Sequence, residues 1–534
     1  MTMQLMLRRC LGRILKARSR KQCVSIDRQV VPQQWVQVYK RNATAVYFLV
    51  APLIIVPGVG CKTIPPPSPT EIQVQALDHL DLAGTWKAGD LNSGAVSDNW
   101  LATFNDEQLN ALVKEALENN LDLQVAASRV EQAAGYVDVA KSALYPAVNL
   151  FGSRRVSIRG GGSELSTPIQ LLALGVSWEP DIWGRVRYAR NASQEDYTSA
   201  KADFEFARQS LAAHVARSWF MATQTWLQHQ LVEEIIQAAQ ELVRIAEKRL
   251  EVGIGTEQDV STARANLGNL KDTSKQIVFA HEQSLRALEL LLGRYPAAEI
   301  EARHDLPALP GLVPAGMRLD ILERRPDIIA AERRVAAAFN RVAEAKAARL
   351  PQIPLTGDIG IIDAPSLDFK VRLPRIALDP ESVLPDKRTV EIEKEIENPT
   401  GGIDANMLFP IFRGGALKAN VTIRNAAQRE SISNYARTVL VAMNEVESAL
   451  GTSSTLAERE TLLRQVVSDS QRALDLAMTN YRIGTQDLRL VQLQQMDLHA
   501  ARITLLLVQT EQLIQRANLH LALGGSFEAN PSVQ

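Results

Sequence analysis

The chain has 534 residues, with 22% charged, 46% hydrophobic and 5% aromatic side chains and a formal net charge of -1. This is the balance of an ordinary folded protein; it excludes a disordered chain and a chain-wide basic footprint for nucleic acid. The basic residues concentrate at the N-terminus, where residues 1 to 41 hold ten Lys or Arg against one acid, Asp27.

An apolar run, Ala45 to Val56, follows this basic stretch and leads into Pro57-Gly58-Val59-Gly60-Cys61. Cationic, then apolar, then small residues is the order of a secretory signal. The run is short for a transmembrane helix, and Pro52 and Pro57 interrupt it. Small residues before Cys61 resemble a bacterial lipobox, in which the Cys thiol is acylated and becomes the first residue of the mature protein. Gly58 stands where that motif usually has Leu, and the cationic region is long, which a later translation start would explain. A plain signal peptide or a short anchor helix is the alternative. Cys10 and Cys23 precede the proposed cut, so Cys61 alone survives it and no disulfide forms within one mature chain. Residues 1–60 are thus expected to be signal and extension. Residues 61–99 are expected to be a lipid-tethered linker, with Thr63 to Thr70 (TIPPPSPT) an extended Pro-rich spacer.

Beyond residue 100 the proline pattern divides the chain. No proline falls between Pro180 and Pro296, or between Pro410 and Pro531. Both windows read as helix, from near Val186 to Glu251 and from near Leu417 to Arg482, each about 100 Å long at 1.5 Å per residue. Apolar residues at spacings of three and four (Ile235, Ala238, Leu242, Ile245; Leu498, Ala501, Leu505, Val508) predict coiled-coil seams. Each long helix stops at a glycine, Gly253 or Gly484, and a second helix returns to Leu292-Gly293 or Leu523-Gly524. Both pairs of landmarks are 231 residues apart.

Upstream, Arg129-Val130, Ala140-Lys141, Pro146, Leu150 and Gly152 match Arg334-Val335, Ala345-Lys346, Pro351, Leu355 and Gly357 at a constant offset of 205. Units of this size mean duplication of a half-protein rather than a solenoid. The first repeat is placed at 100–310, with strands at about 148–157 and 171–180 and long helices at about 186–292. The second is placed at 311–525, with strands at about 353–362 and 402–411 and long helices at about 415–523, and 526–534 is a tail. The strands alternate: Leu172, Leu174, Val176 and Trp178 against Ala173, Gly175, Ser177 and Glu179; Ile403, Ala405, Met407 and Phe409 against Asp404 and Asn406. Such strands suit a membrane β-barrel or a small soluble sheet. Four strands cannot close a barrel, and open edges are not tolerated in lipid, so spanning strands would have to come from several chains.

Taken in order, several motifs make the chain similar to the TolC-like outer-membrane factor family, in the lipoprotein branch that serves resistance-nodulation-division efflux systems. They are Trp100-Leu-Ala-Thr-Phe104, Trp178-Glu-Pro-Asp-Ile-Trp-Gly-Arg185, Glu323-Arg-Arg-Pro-Asp327 with Ala331-Glu332, Leu408-Phe-Pro-Ile-Phe-Arg-Gly-Gly415 and Ala522-Leu-Gly-Gly525. The resemblance implies a mainly α fold with a β-barrel contribution: a trimeric 12-stranded outer-membrane barrel continued by a long periplasmic α-helical barrel. It implies a homotrimer whose tips, at Gly253, Thr256, Gly484 and Thr485, meet a periplasmic adaptor linked to an inner-membrane transporter, with Cys61 in outer-membrane lipid. Better-known members carry acidic residues six and nine positions after the second tip glycine, where this chain has Leu490 and Leu493. An apolar constriction there, with Asp487 and Arg489 as ion-pair members, is the expectation. The Asp363 to Gly401 connection, rich in charge (Lys387, Arg388, Glu391), is expected to be an exposed loop or short excursion, or a surface recognition element.

A protein-secretion exit duct and a periplasmic coiled-coil adaptor are the competing functions. An enzyme is disfavoured: the histidines show no HExxH or paired ligand spacing, and no Walker loop or GxSxG elbow is present. No cofactor, metal or nucleic-acid partner is expected.

Overall fold

The computed structural model describes residues 63–78, 85–88, 94, 96, 98–155, 169–363, 370–372, 395–397 and 399–528. All lie within one unit, Cys61–Gln534. The apolar run, Cys61 and most of the charged connection lie outside the described residues.

The segment expected to be a tether does more than span. Thr63 to Ser68 is extended, as its prolines require, but helix α1 (Pro69–Leu77) then opens with a capping box, Ser68 accepting from the Glu71 amide while Glu71 accepts from the Ser68 amide. Ile72, Ala76 and Leu77 are buried, and the Trp86 indole donates to the Ala315 carbonyl at 2.9 Å. The amides of Lys87 and Ala88 donate to the Glu447 carboxylate. The strap is therefore part of the folded body. Its apolar residues are too few and too widely spaced to announce this in sequence.

The two repeats then follow. After a 3-10 turn (Trp100–Phe104), the first contains α2 (Glu107–Asn119), α3 (Leu121–Ser142), β1 (Ala147–Arg155), β2 (Ile169–Trp178), α4 (Arg185–Glu251) and α5 (Glu257–Leu291). The second contains α6 (Asp320–Arg324), α7 (Pro326–Ala347), β3 (Leu355–Asp363), a ribbon of β4 (Lys370–Arg372) and β5 (Glu395–Glu397), β6 (Pro399–Ala405), α8 (Ala416–Arg482) and α9 (Leu488–Ala522). Corresponding helices match in length: α3 and α7 have 22 residues, α4 and α8 have 67, α5 and α9 have 35. Pro326 occupies the first turn of α7, where its missing N–H leaves no bond unmade. Gly184 and Gly415 cap α4 and α8 at φ +81 and +84, angles that let the chain swing from strand into helix.

The strands form one antiparallel sheet in the order β1-β2-β3-β6, and the β4-β5 ribbon pairs separately. The last strand corrects its expected reach to 411, because β6 stops at Ala405. Beyond it the facing chain carries Pro351 and Pro354, which have no N–H to give. Pairing thins to the Asn406 amide on the Pro354 carbonyl at 3.2 Å and a single bridge between Gln352 and Leu408.

Among the described residues three apolar clusters hold the unit. One joins the Trp100 turn, α2, α4, the ends of α5 and α9 and the tail residue Phe527 around Trp219 and Phe220; a second joins the strap, α7, α8 and α9 around Tyr435. Arg325, whose side chain is almost fully buried, pairs with Asp327 and Glu445 and donates to the Ala522 carbonyl, tying together the start of α7, the middle of α8 and the end of α9. The third cluster is at the hairpin tips. On α4 the buried seam is Val232, Ile236, Ala239, Leu242 and Ala246, rotated by about one residue from the predicted Ile235, Ala238, Leu242, Ile245. Ile245 stays partly buried against the tip cluster beside this seam.

Candidate functional site

The site has two ends, a strand face and a pair of helical tips. In the sheet, registered neighbours share a face. Val148 pairs with Val176, which pairs with Gly357 and then Ile403; Leu150 pairs with Leu174, then Ile359. With Leu172 and Ile361 these make one apolar face, and every one of its large side chains is exposed. The opposite face is mixed: it carries Asn149, Ser177, Thr356, Asp358 and Asp404 toward the helical end, with Phe151 lying over Gly175, and the Leu171–Ile362 pair toward the other. A sheet with one bare apolar face and one face of mixed, more polar character suits lipid on one side and water on the other. Trp178 donates to the Leu144 carbonyl and Trp183 to the Pro351 carbonyl, while Phe409 and Phe412 stand exposed at the same strand-to-helix junction. The strap begins here too: the Ile64 amide donates to the Tyr188 hydroxyl at 2.9 Å. No described helix is long and apolar enough to cross a membrane.

At the other end each hairpin turns through a glycine in the left-handed region, Gly253 at φ +79 and Gly484 at φ +84. The amides of Ile254 and Gly255 donate to the Arg249 carbonyl, and that of Thr485 to the Asn480 carbonyl, closing both helix ends in a Schellman-like manner. The returning helices start differently. Thr256 caps α5 in a reciprocal box with Asp259, whereas Asp487 caps α9 alone, accepting from the Leu490 amide at 3.2 Å. Asp487 therefore serves the helix start, and Arg489 is exposed. The structure separates the two leucines: Leu490 packs on the tip cluster of Leu242, Val260, Tyr481 and Val491, while Leu493 is 52% exposed.

Two features of the tip were not foreseen. Val252, Ile254 and Ile483 project into solvent beside the turn glycines, more than 60% exposed each; apolar residues flanking a predicted turn were the signal. The two hairpins are also latched together by Arg249 and Tyr481, whose ring is buried and whose hydroxyl is thereby raised above its ordinary pKa. Nothing in the spacing points to that pair. Among the described residues no group of three or more His, Cys, Asp or Glu is placed to hold a metal ion.

The model of the outer membrane efflux protein family matches residues 112–294 and 319–525, one segment per repeat. This chain belongs to that family. It is an outer-membrane efflux channel. It is 29% identical over 486 residues to the toluene efflux pump outer membrane protein TtgC of Pseudomonas putida, covering 88% of this chain and 93% of that one. It is 27% identical over 472 residues to the cation efflux system protein CusC of Escherichia coli K12, covering 87% and 96%. The crystal structure of the outer membrane protein VceC from Vibrio cholerae superposes with a TM-score of 0.70 at 25% identity, covering 81% of this channel and 100% of that chain. The duplicated unit of helix, strand pair and long hairpin is thus the fold of the TolC-like channels.

Proposed function

We propose that this channel works as a homotrimer, the passive exit duct of a tripartite pump fed by an inner-membrane transporter through a periplasmic adaptor. One observation carries the trimer: the second repeat is satisfied within the chain and the first is not. Helix α7 packs on both α4 and α8, with 13 of its residues buried. Its counterpart α3 packs on α4, buries Leu123 alone, and leaves Val125, Tyr136 and Val139 exposed. The unmet neighbour of α3 is α8 of the next copy. The sheet repeats the pattern, since among the described residues β1 and β6 are its two unpaired edges; three copies joined edge to edge make a closed barrel of about 12 strands.

The duplication names the contacts. Arg341 of α7 pairs with Asp196 of α4, and Arg334 with Asp203. The corresponding positions in the other copies are Tyr136 with Ala427 of the partner subunit, and Arg129 with Asn434 of the partner subunit; all four are exposed. A tyrosine over an alanine and a guanidinium beside a carboxamide are compatible pairs. Adaptor contact falls on the tips around Gly253, Thr256, Gly484 and Thr485, where Val252, Ile254 and Ile483 offer apolar surface. Acylation of Cys61 fits the strap: Ile64 is held at the strand-to-helix junction, and the intervening residues reach only about 10 Å, so a lipid on Cys61 would enter the same membrane leaflet as the strand ends. Relatives named for toluene and for cations share this duct, which suits selection by the transporter.

The test is a pair of cysteines, Tyr136→Cys with Ala427→Cys. Mild oxidation of the detergent-purified double variant should give a covalent trimer, and the purified protein should form channels in planar bilayers. A soluble monomer without channel activity would overturn the reading.

A further inference from the structure

The two junctions at which strand gives way to long helix differ in charge. At the first, Glu179 pairs with Arg185 at 2.9 Å and Asp181 with Arg187 at 3.0 Å, and Asp181 also accepts from the Val186 and Arg187 amides. At the second, the positions 231 residues later are Pro410 for Glu179, Phe412 for Asp181 and Lys418 for Arg187. The cation is kept, and its carboxylate is replaced by a phenyl ring. No acid occurs between Asp404 and Glu430, whereas Arg413, Lys418, Arg424 and Arg429 all fall there.

Arg413 and Lys418 are exposed, and among the described residues neither has an ion-pair partner. The turn before β3, brought alongside by the Gln352–Leu408 bridge, adds exposed Lys346 and Arg349, again with no acid between Glu344 and Asp358. Lys418 stands in the first turn of α8, which carries no acid, and a cation there opposes the helix dipole. The arrangement is unfavourable unless an anion from outside the chain meets it. Apolar surface lies beside these cations: Ile411 is 90% and Phe412 85% exposed, and Met407 and Phe409 are exposed as well. The patch continues from Ile403 on the bare apolar face of the sheet, at the helical, periplasmic end of the strands.

We propose that the second junction binds an anionic phospholipid of the periplasmic leaflet, its phosphate against Arg413 and Lys418 and its acyl chains along Ile411 and Phe412. Apolar insertion and attraction to an anionic headgroup reinforce each other at a membrane interface. The preferred headgroup carries net negative charge. Phosphatidylethanolamine brings an ammonium of its own, which competes with the two side chains for the phosphate. The first junction has no such preference, because Glu179 and Asp181 already answer its cations. This inference needs the outer-membrane location of the channel and does not depend on the trimer.

The test titrates the detergent-purified full chain with dioleoyl phosphatidylglycerol or dioleoyl phosphatidylethanolamine and counts bound lipid by native mass spectrometry. The parent should bind the glycerol lipid about fivefold more tightly or better, the contribution of one cation near an anionic headgroup. Arg413→Gln with Lys418→Gln should bring the two lipids within about twofold of each other, as that contribution is lost. Phe412→Asp should do the same, because it keeps both cations and returns the carboxylate that the first junction has. Arg459→Gln, which removes an exposed cation about 60 Å further along α8, should keep the preference. No preference in the parent, or one that survives both the double change and Phe412→Asp, would overturn the proposal. Its loss in Arg459→Gln as well would assign the effect to net charge and overturn it too. Displacement of the glycerol lipid by an equal concentration of inorganic phosphate would overturn a lipid as the occupant. A preference that holds in a protein whose Tyr136→Cys/Ala427→Cys cross-link fails would sink the trimer and leave this site standing.

Discussion

The Arg249 guanidinium of the first hairpin lies 4.7 Å from the centroid of the Tyr481 ring of the second, and one of its nitrogens donates to the Tyr481 carbonyl at 2.8 Å. The contact joins the two tips within one chain. It also sits directly above the residues that turn each hairpin.

Replacing Arg249 with Ala removes a cation–π contact and a charged hydrogen bond, together worth about 1 to 3 kcal/mol. The tip should loosen while the distant cores stay intact. Amide exchange near residues 477–485 should quicken severalfold, with no change around Trp219. Uniform protection in both regions would show that the latch carries no stability.

Asp106 carries three duties: it caps α2 through the Leu109 amide, accepts from the buried Trp219 indole at 2.9 Å, and pairs with Arg303 at 3.3 Å. Asp106→Ala should cost about 3 kcal/mol or more, because the Trp219 N–H is left without a partner. Asp106→Asn, which keeps an oxygen for the cap or the indole, should lose less. Thermal melting of the detergent-solubilised protein ranks the two, and equal melting temperatures would contradict this assignment.

On the polar sheet face, a Cβ added at Gly175 would come within 2.4 Å of the Phe151 ring. Gly175→Val should therefore reduce assembled protein in the outer membrane, and adding Phe151→Ala should restore much of it. If the second change worsens the first, the ring is not the obstacle.

His520 is buried against Trp100, the rings stacked with centroids 5.9 Å apart, and burial with the nearby Arg516 cation lowers its pKa to about 4. As pH falls below about 6.5 the unfolded chain takes up a proton that the folded one refuses, so stability declines until the pH reaches about 4. The span is about 3 kcal/mol. Relative to the parent, His520→Gln should gain stability steadily between pH 6.5 and 4 and show no further relative change below that. A constant difference across the range would mean that His520 does not titrate there.

The duplication, the long helices and the turn glycines were legible from residues alone. Proline exclusion and two constant offsets are properties of the linear chain, and a helix of 67 residues leaves its mark on every position it occupies. Strand existence was legible for the same reason, since alternation has a period of two wherever the strand ends.

What the residues did not disclose depends on which surfaces meet. The seam on α4 was misplaced by one residue because periodicity defines a stripe, whereas the neighbouring helix selects which edge of it is buried. The strap, Arg249 with Tyr481, and the separation of Leu490 from Leu493 join positions far apart in sequence or divide positions close together, so spacing cannot announce them. The sequence by itself determined two copies of one unit and the places where they turn. Only the tertiary structure decided that the second copy is complete within the chain and the first is not, because the burial of a helix face is set by what lies beside it.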